Sequence, residues 1–228
     1  MIVLSVDTST QNACAAVMSH EGLIAEYTIS NKKTHSQNIM PMIDDMLKKS
    51  DITMDMIDAF AVTVGPGSFT GLRIGMATVK TFSQVMKKPI VGVSTLEALA
   101  EGHILTDKLI CPIIDARRED VYNALYKNGQ CIQKDRAINI HTLLDEIKGQ
   151  SVIFVGDGAL AYRSIIEETM GEDAIFSPVC LNTTRGANVC QLALKKLDMG
   201  LCDDPYTLNP VYLRVSQAER EYAEKNKQ

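Results

Sequence analysis

The residues best suited to chemistry follow a short apolar run at Phe60–Val64, whose length and β-branched content are typical of a buried strand. Gly65-Pro66-Gly67 end that strand, because the proline lacks an amide donor and the glycines adopt backbone conformations that other residues resist. Ser68 is the predicted N-cap of a following helix. A strand, a tight turn and a helix aim backbone N–H groups at one point, which is the usual geometry for holding an anion. Gly65, Pro66, Gly67 and Ser68 are called the glycine turn below.

The glycine turn matches neither of the two common phosphate-binding signatures. No Lys follows Gly71, as a P-loop requires, and Thr70 stands where the dinucleotide fingerprint needs glycine. The alternative is that the glycines let a helix cross very close to a neighbouring backbone. Gly71 and Gly75 favour this alternative, because residues four apart leave one face of a helix bare.

Two predicted strands end in an aspartate, Asp7 early in the chain and Asp115 near its middle. Each aspartate is followed by a polar turn and a second apolar strand, and Arg117 lies two residues after the second one. This internal repeat predicts two copies of a hairpin-led α/β unit, with these three residues at the cleft between them. Asp7 has the atoms to orient a metal-bound water, but an aspartate that forms the turn is the simpler interpretation.

Composition limits the class of protein. The 228 residues are 46% hydrophobic, which is enough to form a buried core. The formal net charge of −5 argues against a protein that binds nucleic acid on its own. Six cysteines without a C-x-x-C pair predict reduced core residues. No stretch approaches the roughly 20 apolar residues that span a bilayer, and the first residues lack the pattern of a signal peptide. These features predict a cytoplasmic protein.

Seven of the eleven methionines fall between residues 40 and 86, five of them in two predicted helices and two in the connector between these helices. Methionine adapts to exchangeable contacts, so this density favours a docking surface, although methionines also fill cores. Met46 and Met76 are predicted core residues, whereas Met40 and Met42 are predicted at the interface. The helix after Ser36 and the helix after Ser68 together give the predicted partner interface: Ser36, Ile39, Met40, Ile43, Gly71, Arg73, Ile74, Gly75 and Thr78.

Six stretches carry a family resemblance: Asp7-Thr8-Ser9, His35-Ser36, the eleven residues 65–75, residues 89–94, Asp115-Ala116-Arg117 and Tyr212-Leu213-Arg214. They resemble the bacterial TsaB (YeaZ) family over nearly the whole chain, most specifically at residues 65–75. The resemblance implies an α/β fold of two tandem subdomains like those of actin, sugar kinases and heat-shock ATPases. Each subdomain is expected to be a mixed sheet led by β-hairpin strands and covered by helices, the first at 1–105 and the second, with an extended tail, at 106–228.

The family resemblance also implies a role. The TsaB family supplies a non-catalytic subunit of the machinery that places threonylcarbamoyl on N6 of adenosine 37 in tRNAs reading codons that begin with A. The catalytic work belongs to the paralogue TsaD, which binds metal and nucleotide, and the ATPase TsaE joins the assembly. The expected partners are therefore TsaD, TsaE and a second copy of this chain, with tRNA reached only through the complex and no membrane contact.

The residues agree with a subunit that carries no catalytic group, metal or cofactor. TsaD resembles residues 89–99 but has an H-x-E-G-H metal motif there, whereas this chain has Leu99, which offers no lone pair, in the last of the five positions 95–99. His103 lacks a second histidine one turn earlier and is predicted to face solvent. The second half has a single glycine-rich turn, at residues 155–159. Two alternatives stay open, an ATP-binding enzyme of the kinase or carbamoyl-transfer type and, with less support, a metallopeptidase.

Overall fold

The computed structural model describes residues 1–31 and 34–214. Their first sheet has five strands, in the order β3-β2-β1-β4-β5. The strands are β1 Ile2–Asp7, β2 Ala13–Ser19, β3 Gly22–Ile29, β4 Ala59–Gly65 and β5 Ile90–Ser94. β1 pairs antiparallel with β2 and parallel with β4, so an apolar strand in the middle of the sheet is buried on both faces.

The second sheet repeats this arrangement, in the order β10-β9-β6-β7-β8. Its strands are β6 Leu109–Asp115, β7 Asp120–Lys127, β8 Gln130–Asn139, β9 Val152–Val155 and β10 Ala174–Phe176. β6 corresponds to β1, because it too pairs antiparallel with the next strand and parallel with β9. The internal repeat predicted from the two aspartate-ended strands is therefore confirmed.

Seven helices of the described residues cover the two sheets: α1 His35–Lys49, α2 Phe69–Met86, α3 Thr95–Glu101, α4 Ile140–Ile147, α5 Asp157–Ala161, α6 Arg163–Met170 and α7 Gly186–Asp198. α1 and α2 pack on one face of the first sheet, where their apolar side chains meet Leu4, Val6 and Phe60. α4 and α6 cover the second sheet. Over the described ranges, no helix combines the length and the apolarity that crossing a bilayer requires.

The last helix returns to the first sheet. Val189, Cys190 and Ala193 of α7 form a core cluster with Val3 and Ala61, on the face opposite α1 and α2. The following segment stays there, since the Asp203 N–H donates to the Ile90 carbonyl (2.8 Å) and the Val211 N–H to the Val64 carbonyl (2.7 Å). The predicted division at residues 105 and 106 is therefore wrong for α7 and for the segment up to residue 211.

Several predicted helix ends differ from the observed ones. α1 begins one residue before Ser36, and its N-cap is Thr34, whose N–H donates to Gln37 Oε1 (3.3 Å). The sequence predicts a helix that is capped by Ser94 and runs through Leu105, but α3 ends at Glu101, and Leu105 is fully exposed. The sequence predicts one helix over residues 159–170, but the structure has two helices there, α5 and α6, divided at Tyr162. The polar end of the chain at 217–228, whose charges balance, is expected to fray, and it lies outside the described residues.

The cysteines divide into two groups. Cys14, Cys111 and Cys190 are buried, as predicted, but Cys131, Cys180 and Cys202 are exposed, and all six are free thiols. Burial raises the pKa of the Cys190 thiol to about 12 and keeps it protonated.

Candidate functional site

A cleft of about 740 Å³ separates the two sheets. The first half contributes the turn after β1 and the glycine turn, while the second half contributes the turn after β6 and the start of α5. The residues that line it include Ser9, Thr10, Gly67, Ser68, Asp115, Arg117 and Asp157. The cleft is the concave feature toward which the polar residues singled out in the sequence converge.

The glycine turn packs tightly against the turn that follows β1. Gly65 has a φ of 122°, the Gly65–Pro66 peptide is cis, and the Ser68 side chain accepts a hydrogen bond from the Gly71 N–H (3.2 Å). The Ser68 N–H donates to the Ser9 carbonyl (2.7 Å), and a Cβ on Gly67 would overlap that same carbonyl oxygen. Ser68 is the N-cap of α2, as predicted. Its backbone N–H is already hydrogen-bonded to Ser9 of the same chain.

Gly71 and Gly75 point inward, onto Thr8. A Cβ on Gly71 would overlap the Thr8 carbonyl oxygen, and one on Gly75 would lie 2.5 Å from Thr8 Oγ1. The Thr8 hydroxyl also donates to the Gly71 carbonyl (2.7 Å). This pair of glycines therefore allows α2 to approach the backbone at Thr8 closely. Their predicted place in a partner interface is wrong, because both are buried against their own chain.

Three more residues expected at the interface belong to the core. Ile39 and Ile43 are at most 2% exposed, and Met42 is 3% exposed, because the apolar face of α1 lies on the first sheet. The same face holds Met46, and Met76 of α2 is buried beside it, as predicted.

A smaller set of the predicted interface residues does face outward. Ser36 and Met40 are exposed on α1, Arg73 is exposed on α2, and Ile74 and Thr78 of α2 are half-buried. Met40 is 49% exposed, a large fraction for an apolar side chain in the middle of a helix. These five residues are called the outer helix face.

Asp7 lies beside the cleft but does not line it, so its prediction as a cleft residue is wrong. The side chain is fully buried, and Oδ1 accepts hydrogen bonds from the Ser9 N–H (2.9 Å) and the Thr63 hydroxyl (2.5 Å). Burial raises the pKa of the Asp7 carboxyl above 3.8, against the effect of these bonds. Asp7 therefore acts as the turn former, which is the simpler of the two interpretations of the sequence.

Asp115 and Arg117 line the cleft, as predicted. Asp115 Oδ1 accepts from the Arg117 N–H (2.7 Å) and from the Tyr162 hydroxyl (2.8 Å), and burial, followed by this bond, raises the pKa of Tyr162 to about 12. Arg117, Arg118 and Glu119 all have positive φ, between 59° and 66°. Three consecutive left-handed residues without glycine form a strained turn that turns the chain sharply between β6 and β7.

Asp157 is a cleft residue that the sequence analysis missed. Its Oδ1 accepts from the Asp115 N–H (3.1 Å), which joins the two acids, and burial raises the pKa of its carboxyl. Its position could have indicated this, because Asp157 follows Gly156 in the glycine-rich turn between β9 and α5, where a polar side chain is placed at the end of a strand.

The segment that corresponds to the metal motif of TsaD, residues 95–99, is buried except for Glu97. Leu96 and Leu99 are buried against Ile110 and Ile114, and Glu97 Oε2 lies 3.6 Å from Lys196 Nζ. His103, which the sequence predicts to face solvent, is instead half-buried: its Nε2 lies 3.0 Å from Ser177 Oγ, and burial lowers its pKa. Within residues 1–31 and 34–214, no three His, Cys, Asp or Glu side chains converge closely enough to hold a metal ion.

Comparisons with known proteins agree on family and fold. A family model described as TsaD, tRNA N6-adenosine threonylcarbamoyltransferase, matches residues 22–222. The tRNA threonylcarbamoyladenosine biosynthesis protein TsaB of Bacillus subtilis is 33% identical over all of both chains. YeaZ from Pseudomonas aeruginosa, at 23% identity, superposes with a TM-score of 0.77 over 93% of this chain and 99% of its own.

A more distant structure extends the fold comparison. The activator of 2-hydroxyisocaproyl-CoA dehydratase from Clostridium difficile, solved with ADPNP, has a TM-score of 0.51 at 12% identity over 90% of this chain and 98% of its own. It shares the fold, which confirms the predicted α/β architecture of two related units. On the family match and the full-length identity to its relative, the chain belongs to the TsaB (YeaZ) family.

Proposed function

We propose that this chain is a non-catalytic scaffold subunit of the cytoplasmic machinery that makes threonylcarbamoyladenosine in tRNA. In this role it is required, with TsaD and TsaE, for N6-threonylcarbamoylation of adenosine 37 in tRNAs that read codons beginning with A. Support comes from the TsaB family and from the name of the full-length relative in Bacillus subtilis. The formal net charge of −5 fits a subunit that meets tRNA only through the complex.

The proposal that the subunit is non-catalytic is supported mainly by the packing of residues 95–99, where TsaD has its metal motif. Leu96 and Leu99 belong to a buried apolar cluster that holds α3 onto β6. A ligand side chain at Leu99, the position of the second histidine of the motif, would have to replace core contacts, and leucine has no lone pair for a metal. Asp7 supports the same conclusion, because its carboxyl is enclosed by Ser9 and Thr63 and does not reach the cleft.

The outer helix face is the proposed docking surface for TsaD, and for a second copy of this chain when TsaD is missing. It combines an exposed methionine with the partly exposed Ile74 and a cation, Arg73, on two adjacent helices. Methionine packs against surfaces of different shape, which suits a face that accepts more than one partner. TsaE is proposed to join the pair that forms.

A charge placed at Met40 tests this surface. Met40→Glu should weaken binding to TsaD by more than about tenfold, because a carboxylate buried without a partner at an interface costs well over 1.4 kcal/mol. Sedimentation of the mixture and tRNA modification in a strain that carries only this variant are the measurements. The melting temperature should not change, since the side chain is half exposed.

Met199→Glu is the matched control for this experiment. Met199 is 73% exposed and follows α7, on the opposite face of the first sheet. This variant should still sediment with TsaD. Equal binding by the two variants would place the interface elsewhere.

The cleft keeps one alternative open, an ATP-binding enzyme of the kinase or carbamoyl-transfer type. A space of about 740 Å³ between two related halves is large enough for a nucleotide. Calorimetry of the isolated chain with ATP and Mg²⁺ separates the two functions. If the chain is a scaffold, titration with ATP should give no saturable heat of binding. Tight binding of ATP would contradict the scaffold proposal.

A further inference from the structure

The segment that follows α7 connects the two halves of the molecule. Residues 203–214 lie outside the helices and strands of both sheets, apart from a single bridge between Asp203 and Ile90. They run along the first half, pass the mouth of the cleft and end on the second half. This segment is called the strap.

The strap is bound to the first half along most of its length. Asp203 Oδ2 accepts a hydrogen bond from the Gly92 N–H (2.7 Å), and Lys80 Nζ of α2 donates to the Leu208 carbonyl (2.8 Å). The backbone N–H groups of Asp203 and Val211 are bonded to β5 and β4. These contacts fix the course of the strap as far as the glycine turn.

Tyr212 brings the strap to the first rim of the cleft. Its ring stacks on that of Phe69, with the centroids 4.2 Å apart and an angle of 5° between the planes, and its hydroxyl accepts from Arg73 Nε (3.0 Å). Phe69 lines the cleft at the start of α2. Ring stacking and a hydrogen bond therefore hold Tyr212 at the rim that the first half provides.

Arg214 fastens the strap to the opposite rim. Its Nη1 donates to the Ala116 carbonyl (2.9 Å) and lies 3.0 Å from Asp120 Oδ2, and its side chain is only 18% exposed. Charge-assisted bonds are stronger than neutral ones, and partial burial reduces their screening by salt. Leu213 packs against the apolar cluster around Ile114 of the second half. Because Ala116 lines the cleft, neighbouring residues of one segment hold both rims.

The short distance between the two attachment points limits how the halves can move. Tyr212 and Arg214 are two positions apart, so their Cα atoms are separated by at most about 7 Å even in an extended chain. A movement that widened the cleft further would have to break the contacts of one of them. The packing of α3 on β6 also joins the halves, but apolar contacts are not directional and survive small sliding movements.

We propose that the strap is a latch that holds the two halves in one relative orientation and limits how far the cleft opens. Arg214 is its fastening, because it makes the hydrogen bond and the ion pair to the second half. Proteins with two lobes commonly change the width of a cleft by hinge rotation. The bonds of Arg214 prevent that rotation here, and their release sets the halves free to rotate. This inference does not rest on the proposed scaffold function, because the latch involves neither TsaD nor tRNA.

Arg214→Met tests the latch, because methionine keeps the apolar part of the side chain but cannot bond Ala116 or Asp120. Residual dipolar couplings of the ¹⁵N-labelled full-length chain report the orientation of each sheet. In the wild-type chain, the couplings of both sheets should fit one alignment tensor. In Arg214→Met this common tensor should be lost, so that each sheet needs a tensor of its own. One common tensor in Arg214→Met overturns the proposal, and so do two tensors in the wild type.

Arg136→Met is the matched control. The Arg136 side chain is 24% exposed and pairs with Glu146, but both residues belong to the second half. This variant should keep the common tensor, and an equal loss in both variants would overturn the specific role of Arg214. Asp120→Asn removes the ion pair and keeps the bond of Arg214 to the Ala116 carbonyl, so it should show the same change to a smaller extent. It decides the question if Arg214→Met does not fold.

Discussion

Asp7 is a carboxyl group that the fold buries completely while using it to close a turn. One oxygen accepts two hydrogen bonds, from the Ser9 N–H and the Thr63 hydroxyl, and the other lies 3.9 Å from Cys14 Sγ. Because burial raises the pKa of Asp7, its carboxyl binds a proton more tightly in the folded chain than in the unfolded chain. Its negative charge therefore costs stability at neutral pH, and this cost is relieved as the pH falls through the raised pKa toward 3.8.

Asp7→Asn should be at least as stable as the wild type at pH 7, because the amide keeps the Oδ1 acceptor and removes the buried charge. Its advantage should shrink as the pH is lowered, since the wild-type carboxyl then becomes neutral. Urea unfolding between pH 4 and 8 measures the difference. Asp145→Asn, at an exposed position, is the control and should change the free energy of unfolding by less than about 0.5 kcal/mol. A loss of several kcal/mol in Asp7→Asn at neutral pH would show that the charge itself is needed.

At the scale of elements, periodicity predicts the strands and helices well but not the direction in which every face points. β1, β4 and α2 lie where the apolar runs and the Gly65–Ser68 turn predict them. The small-residue face of α2 is ambiguous in sequence, because glycines four apart allow close contact with a partner helix or with the same chain. Thr8, distant in sequence, decides the matter through its contacts with Gly71 and Gly75.

Gly71→Ala tests this internal contact. The added Cβ would meet the Thr8 carbonyl oxygen, so we expect a loss of about 1–3 kcal/mol in the free energy of unfolding despite the higher helix propensity of alanine. Gly102→Ala is the control, because this residue has helical dihedral angles and its Cβ would be 3.4 Å from Asn188 Nδ2. The control should be neutral or slightly stabilising. A Gly71→Ala chain that melts normally but fails to bind TsaD would restore the original interface prediction.

At the scale of the molecule, α7 shows where prediction from sequence order fails. Its apolar spacing predicts a helix with one buried face, but nothing in that spacing says which sheet receives it. The chain runs through the second sheet and then returns, so that α7 completes the core of the first one. The same return brings Asn182 and Thr184 to the turn after β1, an arrangement that local sequence patterns do not predict.

Two matched cavity variants test this division of the molecule. Leu194 of α7 and Leu144 of α4 are both buried, the first among the side chains of the first sheet and the second among those of the second. Each leucine-to-alanine change should cost about 2–5 kcal/mol. Native-state hydrogen exchange should then show faster opening of β1, β2 and β5 in Leu194→Ala, and of β6, β7 and β9 in Leu144→Ala, because a lost contact weakens first the cooperative unit that contains it. If Leu194→Ala instead opened β6, β7 and β9, α7 would belong energetically to the second unit, and the boundary expected at residues 105 and 106 would hold after all.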